Sequence, residues 1–390
     1  MPSTEFSVAE LHAIKAEFPF IADRVYLNFA SVGPLPVRAR RVVDRINDTL
    51  QRLNTNFDPE TFAAVERCRT ALASLVGGSR AGIGLLPNTS FGLNWAFAAF
   101  GLGPSDAVLI TDHEFPALAY AALNLKEAGV EIVTVPVPGN AGLSPGQLEE
   151  ELSRHPEVRV AAVSWVSFHN GYRHDLAGLA RVAHRHGAYL LVDAIQGLGT
   201  RPLDAEAQGV DVLASAVHKW MVCPVGQAFV WCRPDLMKNL KSPWGGWLSV
   251  AWDIDFARLF DTDKVLPHGP RRAEVGTPSF AAVRALATVA EWIAELGCMR
   301  IMRHTESLLE RLEAALDPDR FEVVSDRSPE HRSAIFCLRP RDGDVARLKA
   351  HLNKSRIICA LREGAVRLSP HFPTQGSDIE QLVQSLHEFV

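Results

Sequence analysis

An acid and a lysine follow two neighbouring apolar runs in the middle of this 390-residue chain. Asp193 ends the run AYLLVD (188–193), and Lys219 stands shortly after the run VDVLAS (210–215). A deprotonated lysine amine is a nucleophile and a general base, and a nearby carboxylate can stabilise a cation. Side chains of these types at the ends of two strand-like runs could hold a ligand and perform covalent chemistry on it.

Short apolar runs alternate with helical patterns through this part of the chain. Further strand-like runs are DAVLIT (106–111), VEIVTV (130–135) and RVAAVS (159–164). Between them lie amphipathic stretches such as LARVAHRHG (179–187), which ends in glycine as helices commonly do. The alternation predicts an α/β fold, with a mostly parallel sheet covered by helices on both faces. Ligands of such sheets bind beyond the carboxyl ends of the strands, where the acid and the lysine both lie.

The acid and the lysine admit two interpretations. One is a structural ion pair at two strand ends. The other is a site for pyridoxal phosphate, in which Lys219 forms a Schiff base with the cofactor aldehyde and Asp193 keeps the pyridine nitrogen protonated. The second interpretation requires a phosphate site nearby.

Residues 85–103, LLPNTSFGLNWAFAAFGLG, contain a candidate phosphate site. Asn88, Thr89 and Ser90 are N-cap residue types, and apolar residues spaced along one helical face follow them. A helix N-terminus presents unpaired N–H groups and a partial positive charge, and hydroxyls add donors for phosphate oxygens. The alternative is an ordinary N-cap with no ligand.

The composition of the chain excludes several classes of protein. The chain is 47% hydrophobic and 22% charged with a net charge of -5, which is typical of a globular protein and lacks the basic excess of a nucleic-acid-binding surface. No run reaches the length of a membrane span, and the N-terminus lacks the features of a secretory signal. The six cysteines have no metal-ligand spacing, so we expect reduced thiols, no metal and a cytoplasmic location.

The pattern of strand-like and helical segments changes after about residue 270. Two long helical patterns, 281–296 and 299–316, precede strand-like runs set beside further helical patterns, which predicts a smaller α+β domain. We therefore predict a large cofactor-binding domain over 21–270 and a small domain over 271–390. We expect the N-terminal segment 1–20 to pack on the small domain.

In their order and spacing, these motifs resemble the class V aminotransferases. These are fold-type I pyridoxal-phosphate enzymes that include cysteine desulfurases, kynureninases and isopenicillin N epimerase-like enzymes. The resemblance runs from VYLNFASVGPLP (25–36) to VRLSPHFPT (366–374). It implies the fold-type I architecture, with a mostly parallel seven-stranded sheet between helices and a smaller α+β C-terminal domain, and pyridoxal 5'-phosphate as the cofactor.

The resemblance also implies individual roles. Lys219 would carry the Schiff base, Asp193 would pair with the pyridine nitrogen, Gln196 would contact the phenolic oxygen of the ring and His218 would contact the phosphate. Thr89 and Ser90 match the phosphate-loop threonines of the family, and Asn88, at the same helix start, is also expected at the phosphate.

One further phosphate contact is expected to come from another subunit. RRAEVGTPSF (271–280) resembles a family segment that contributes its threonine, here Thr277, to the site of the neighbouring chain. This match implies a homodimer with its active sites at the interface.

Family members place a flat side chain over the cofactor ring, and this side chain comes just after a strand. In this chain the corresponding stretch is TDHEFPALAY (111–120), which follows the strand-like run 106–111. The alignment puts Phe115 there, with His113 as a competing candidate. Desulfurases often have a histidine at this position. A phenylalanine can cover the ring, but it cannot transfer a proton.

Two arginines in LREGAVRLSPH (361–371) mark a departure from the desulfurases. The corresponding desulfurase arginines flank a mobile loop with a nucleophilic cysteine, and the five positions from Arg362 to Arg367 leave no room for it. The resemblance implies that Arg367 binds the substrate carboxylate, for which a planar guanidinium is suited, whereas the alternative is a surface strand arginine. Cys359, in an apolar run, is expected to be a buried structural thiol. Persulfide-forming desulfurase chemistry is therefore not expected.

A second departure concerns family residues that contact the cofactor. Phe168 stands where many relatives have an asparagine for the phenolic oxygen, so Asn170 either replaces that residue or the contact is missing. The usual serine three positions before the lysine is Ala216 here. Ser215, one position away, is the candidate for that phosphate contact.

The substrate pocket is less well defined by the sequence. We expect contributions from NFASVG (28–33), with Asn28 as a substrate-binding residue, and from the tryptophan-rich SPWGGWLSVAW (242–252). The tryptophans could equally be anchors of a dimer interface.

We expect an enzyme that acts on a small or medium α-amino acid, with either a transaminase outcome or a β-elimination outcome of the C–S lyase type. An epimerase or racemase of the isopenicillin N epimerase type is an alternative, and it would need a second proton donor. A non-catalytic regulator or partner protein built on the same fold is another. A nucleotide-binding α/β protein is disfavoured because no GxGxxG follows an early strand.

Overall fold

The computed structural model describes residues 5–53, 59–250, 260 and 266–389. Within these ranges the α-helices are α1 (Val8–Ala16), α2 (Val37–Leu53), α3 (Pro59–Val76), α4 (Thr89–Phe100), α5 (Pro116–Leu123), α6 (Pro145–Arg154), α7 (Leu176–Arg185), α8 (Phe280–Leu296), α9 (Cys298–Ala314), α10 (Val345–Lys354) and α11 (Gly376–Glu388). The strands are β1 (Val25–Tyr26), β2 (Ile83–Leu86), β3 (Ala107–Thr111), β4 (Glu131–Val135), β5 (Val158–Ser164), β6 (Tyr189–Asp193), β7 (Val212–Ala216), β8 (Ala228–Cys232), β9 (Phe321–Val323), β10 (Phe336–Pro340), β11 (Ile357–Ile358), β12 (Ala360–Arg362) and β13 (Ala365–Leu368). No helix in the described ranges combines the length and apolarity needed to cross a bilayer.

A seven-stranded sheet forms the centre of the molecule, in the order β2-β8-β7-β6-β5-β3-β4. Strand β8 runs antiparallel to both of its neighbours, and the other pairings are parallel. Successive residues of one strand enter different hydrophobic clusters, as Leu190 and Leu191 of β6 do, because side chains alternate between the faces of a sheet. Both faces are therefore covered, which explains the continuous apolar strands and confirms the predicted α/β architecture.

A second, antiparallel sheet has the order β12-β13-β10-β9 and packs with α9, α10 and α11 around its own hydrophobic cluster. The N-terminal part of the chain joins it, since β1 pairs in parallel with β11 and an ion pair connects Lys15 with Asp378. Helix α8 instead packs against α2 and α3. The division into 1–20, 21–270 and 271–390 stays a prediction.

A buried ion pair ties α3 to the segment that follows residue 270. Arg69 on α3 binds both carboxylate oxygens of Glu274, with 2.7 Å between Nη2 and Oε2, and the backbone N–H of Leu85 donates to the same carboxylate. Arg69 also contacts Glu66, whose side chain is 42% exposed, against 16% for Glu274. The pair fixes the base of the segment that carries Thr277.

Removing the buried partner should destabilise the fold far more than removing the exposed one. Glu274→Ala removes the carboxylate that binds both terminal nitrogens of a buried guanidinium, leaving it only the more exposed Glu66 and the carbonyl of Ile83, and is expected to lower the free energy of unfolding by about 3 kcal/mol. Glu66→Ala, the matched control, should cost less than about 1 kcal/mol because water screens that contact. Denaturant unfolding of both variants measures the difference, and equal small losses would contradict the assignment.

Candidate active site

A cavity of about 290 Å³ lies at the carboxyl ends of β6 and β7, bounded also by the N-terminus of α4 and by the small domain. It gathers predicted site residues from distant parts of the chain. Those that line it are Asn88, Thr89, Ser90, Phe115, Asp193, Gln196, His218, Lys219 and Arg367.

Lys219 and Asp193 are both buried in this cavity. Burial lowers the pKa of Lys219 to about 8, with the positive charges of Arg367 and Arg362 acting in the same direction and Asp193 opposing them. Burial raises the pKa of Asp193 to about 6, although its carboxylate accepts a hydrogen bond from the backbone N–H of Ile195 at 3.0 Å. Near neutral pH the site therefore combines a carboxylate with an amine that loses its proton far more readily than an exposed lysine.

The loop that carries Lys219 is held tightly against the stretch 28–33, which precedes α2. The N–H of Gly33 donates to the carbonyl of His218 at 2.8 Å, and a Cβ at Gly33 would lie 2.2 Å from the carbonyl oxygen of Lys219. Only glycine permits this approach. Val222, whose N–H donates to the carbonyl of Lys219, has a φ of 43°, an unfavourable backbone conformation for a β-branched residue. Such strain is typical of functional sites.

Gln196 is oriented by two hydrogen bonds. Its Nε2 donates to the carbonyl of Ala30 and its Oε1 accepts from Trp220 Nε1, both at 3.0 Å. An amide nitrogen carries two hydrogens, so one donor remains for a ligand in the cavity.

The phosphate end of the predicted site coincides with the N-terminus of α4. The Asn88 side chain caps the helix by accepting from the N–H of Phe91 at 2.8 Å. Thr89 Oγ1 accepts from the N–H of Ala216 at 2.8 Å, which joins α4 to the end of β7 and leaves the hydroxyl hydrogen free to donate. The first-turn N–H groups of a helix have no intrahelical acceptor, so this end of the cavity suits an anion.

Arg367 is held rigidly in the wall of the cavity. Its guanidinium donates to the carbonyl of Phe168 at 2.6 Å and to Ser31 Oγ at 2.8 Å, while its buried Nε has no hydrogen-bond partner. Burial lowers its pKa to about 10, and the neighbouring Arg362 contributes in the same direction. The guanidinium nevertheless stays charged at neutral pH and can bind an anion.

Phe115 rather than His113 faces the lysine. The ring centroid of Phe115 lies 5.3 Å from Lys219 Nζ, and Phe115 lines the cavity. His113 lines an adjoining cleft of about 650 Å³ instead. Phe168, where relatives have an asparagine, packs against Phe115 with 5.1 Å between ring centroids.

Three predicted site residues do not line the cavity. Ser215 is buried and donates to the carbonyl of Ala216, whereas Asn28 accepts from Ser31 Oγ at 2.7 Å and so supports a residue that does line it. Thr277 is exposed and does not line the cavity of its own chain, and its contact with a second subunit stays a prediction.

Two suggested contributions to the pocket are not found in the described part of the chain. Asn170 is fully buried away from the cavity. Its amide nitrogen donates to the carbonyl of Gly139 at 3.3 Å, and its amide oxygen accepts from the N–H of Tyr172. It therefore does not replace the family asparagine. In the tryptophan-rich segment, Trp244 packs on Phe91 and none of residues 242–250 lines the cavity, while Trp252 lies outside the described residues.

No cysteine lines the cavity among the described residues, which include all six cysteines. Cys359 is buried as predicted, and burial raises its pKa to about 11. A thiol in that state is a poor nucleophile at neutral pH.

Sequence reasoning missed three residues at or beside the site. Ser31 and Arg362 line the cavity, and Arg362 also lines the adjoining cleft. Glu114 is buried beside it, where its carboxylate accepts from Ser164 Oγ at 2.6 Å and burial raises its pKa to about 7. All three residues stand within motifs of the sequence, but nothing in the spacing indicates that Glu114 is buried or which residues each of the three contacts.

The chain matches the family model of aminotransferase class V over residues 37–373. It therefore belongs to the class V aminotransferase family, a family of pyridoxal-phosphate enzymes. It is 25% identical to an uncharacterised aminotransferase of Bacillus subtilis (strain 168), over 95% of each chain. It is 26% identical to a probable cysteine desulfurase of Methanothermobacter thermautotrophicus, over 96% of this chain and 97% of the relative.

Among solved structures, a cystine C–S lyase in complex with its reaction product cysteine persulfide superposes with a TM-score of 0.85 at 22% identity. The match covers 95% of this chain and 99% of that one. This likeness shows the fold, and it confirms the fold-type I architecture.

The residues in the cavity fit pyridoxal phosphate, the cofactor of this family. A buried carboxylate suits a cationic pyridine nitrogen, a buried amine suits an aldehyde, and a helix N-terminus with hydroxyls suits a phosphate. The free donor of Gln196 and the ring of Phe115 complete a set of groups for a flat, polar, anionic ligand.

The pKa of Lys219 gives a direct test of these electrostatics in the cofactor-free protein. Acylation of Lys219, followed by peptide mass spectrometry across a pH series, should show a midpoint near 8. Asp193→Asn removes a negative charge that stabilises the ammonium, so the midpoint should move to lower pH. Asp112→Asn, at an exposed carboxylate in the adjoining cleft, is the control and should leave the midpoint unchanged. An unchanged or raised midpoint in Asp193→Asn would contradict the assignment.

Proposed function

We propose that this enzyme catalyses β-elimination from a small α-amino acid that carries a leaving group on its β-carbon. The observation that carries the proposal is one cavity that brings together a buried amine of lowered pKa and a fixed, buried guanidinium, with no described cysteine in its lining. The net reaction converts a β-substituted alanine and water into pyruvate, ammonia and the protonated leaving group.

Lys219 and Asp193 would hold the two reactive ends of pyridoxal phosphate, and the N-terminus of α4 with Thr89 and His218 would hold its phosphate. When bound, the cofactor supplies an electron sink for the bond that breaks at the substrate α-carbon. Asp193 would stabilise the positive charge on the ring that this chemistry needs.

Arg367 would bind the substrate α-carboxylate. Its contacts to Phe168 and Ser31 fix the plane of the guanidinium before substrate arrives, so little conformational entropy is lost on binding. A carboxylate held there would orient the α-carbon toward the amine of Lys219.

Lys219 would act as the general base at the α-carbon and then as the acid for the leaving group. A base works best when its pKa lies near the operating pH, and burial brings Lys219 to about 8. Phe115, whose ring centroid lies 5.3 Å from the lysine amine, cannot share this work because it has no transferable proton.

The absence of a cysteine from the lining separates this proposal from desulfurase chemistry. A desulfurase transfers sulfur to a cysteine of the enzyme, and no described cysteine lines this cavity. The solved relative of the same fold, described as a cystine C–S lyase, supports elimination. Transamination by the same residues is the second candidate, and it differs in requiring a keto-acid acceptor.

We also propose that the protein works as a homodimer in the cytoplasm. The exposure of Thr277, on a segment anchored by the Arg69–Glu274 ion pair, supports its delivery to the phosphate site of a second subunit.

Elimination and transamination differ in their need for an acceptor. We expect the protein loaded with pyridoxal phosphate to release pyruvate and ammonia in equal amounts from at least one β-substituted alanine in a panel, whether or not a keto acid is present. Lys219→Ala, the matched control, should lower the rate by about 10³-fold because the general base is lost. Strict dependence on an added keto acid would exclude elimination and indicate transamination.

If Arg367 binds the substrate carboxylate, replacing it should weaken the binding of both the substrate and the transition state. Arg367→Gln should lower kcat/KM by about 100-fold, mainly through KM, because a charge-assisted bidentate contact is lost. Arg339→Gln changes an exposed arginine that is paired with Glu322, and it should leave both constants nearly unchanged. Steady-state kinetics of the two variants measure this, and equal values of KM would contradict the carboxylate assignment.

A further inference from the structure

A buried histidine from the small domain contacts the loop that carries the catalytic lysine. His371 follows β13, its side chain is fully buried, and its Nε2 lies 2.7 Å from the carbonyl oxygen of Trp220. A carbonyl oxygen only accepts, so Nε2 carries the hydrogen and donates it. The imidazole also packs edge-on against the indole of Trp220, with 5.2 Å between ring centroids.

The surroundings of His371 keep it neutral and in one tautomer. Phe29, Trp220 and Phe372 pack against its ring, and burial lowers its pKa to about 3. A charge on His304, whose ring is bound to the carbonyl of Thr374, would lower the pKa of His371 in the same direction. Nδ1 is buried without a hydrogen-bond partner. A neutral imidazole with its hydrogen on Nε2 is therefore a permanent donor to the Trp220 carbonyl at neutral pH.

Arg367, Ser369 and His371 each join the small domain to segments at or beside the cavity. Arg367 donates to Ser31, and Ser369 Oγ accepts from the N–H of Ala30 and donates to the carbonyl of Leu27, both at 3.1 Å. Arg367 lies in β13 and Ser369 in the bridge that follows it, so their side chains point to the same side, and His371 stands two residues further along the chain. One short segment thus positions both the arginine of the substrate site and the loop of the lysine.

Trp220 is held at both of its polar groups. Its carbonyl accepts from His371, and its indole N–H donates to Gln196, which in turn is bound to the carbonyl of Ala30. Trp220 is the residue directly after Lys219, and these contacts fix its side chain and the peptide unit between Trp220 and Met221, one residue beyond the lysine. The Gly33–His218 hydrogen bond fixes the peptide unit that precedes it.

We propose that His371 is a positioning residue for Lys219. By binding the Trp220 carbonyl, it restrains the backbone of the lysine so that the amine stays in the buried cavity with Asp193. The inference rests on the proposed function, in which Lys219 carries the cofactor. It adds a residue outside the cavity that acts on the lysine through the backbone.

Two substitutions separate the hydrogen bond from the volume of the side chain. His371→Gln keeps an N–H donor on a side chain that can reach the carbonyl, whereas His371→Met fills similar space without a donor. The readout in the holoenzyme is the pH midpoint of the cofactor absorbance change that reports protonation at the Lys219 linkage. Steady-state kinetics provide a second readout.

We expect the midpoint in His371→Met to rise by about one pH unit, because a less restrained backbone lets water reach the linkage nitrogen and burial then disfavours its protonated form less. We expect kcat to fall by about tenfold with little change in KM, since Arg367 is untouched. His371→Gln should remain close to the unsubstituted protein in both readouts. A methionine variant with an unaltered midpoint and kcat would overturn the proposal.

A measurement on the unsubstituted protein keeps the test independent of how the variants fold. Nitrogen-15 NMR of the His371 ring should show a neutral imidazole protonated at Nε2 throughout pH 6 to 8, a range well above its depressed pKa. An Nδ1–H tautomer or a protonated ring would overturn the assignment. If the unsubstituted protein shows no cofactor absorbance at all, the proposed function fails; if it does and both variants match it, only the role of His371 fails.

Discussion

The burial of an amine and a carboxylate in one cavity is the constraint on which the rest of the site depends. A buried charge without compensation is costly, and an isolated lysine in this cavity would lose its proton while an isolated aspartate would gain one. Asp193 raises the pKa of Lys219, whereas burial lowers it, and the balance leaves an amine that titrates near neutral pH. The parallel pairing of β6 with β7 produces this arrangement, because it brings the carboxyl ends of both strands to the same edge of the sheet.

The rest of the structure encloses the cavity at this edge of the sheet and holds its residues in place. The stretch 28–33 contacts it through Gly33 and Ala30, and α4 contacts it through Thr89. The small domain contacts it through Arg367 and His371. These contacts are made largely by backbone atoms and by side chains that are already hydrogen-bonded to protein. The cavity is therefore preorganised, and the energy of substrate binding need not be used to order it.

The local parts of this arrangement could be predicted from the sequence. Apolar runs ending at Asp193 and near Lys219 define strand ends, and the polar residues at Asn88 define a helix start, so these positions follow from patterns that extend over a few residues. The strands β3 to β7 and the helices α8 and α9 lie within a few residues of their predicted bounds for the same reason.

The parts that depend on packing between distant segments could not be predicted. Asn170 stands near the family position but turns its amide toward the backbone of residue 139, and Glu114 sits in a quoted motif without any sign of its burial. The contact between His371 and Trp220 joins residues 151 positions apart, and no periodicity or spacing encodes it.

Borohydride reduction of the cofactor-loaded protein, followed by peptide mapping, tests the central claim most directly. If the amine of Lys219 is the group that the cavity prepares for the cofactor, reduction should leave a pyridoxyl modification on the peptide that contains Lys219, and Lys219→Ala should show none. A modification on another lysine, or no covalently bound cofactor in protein that has been exposed to pyridoxal phosphate, would contradict the account.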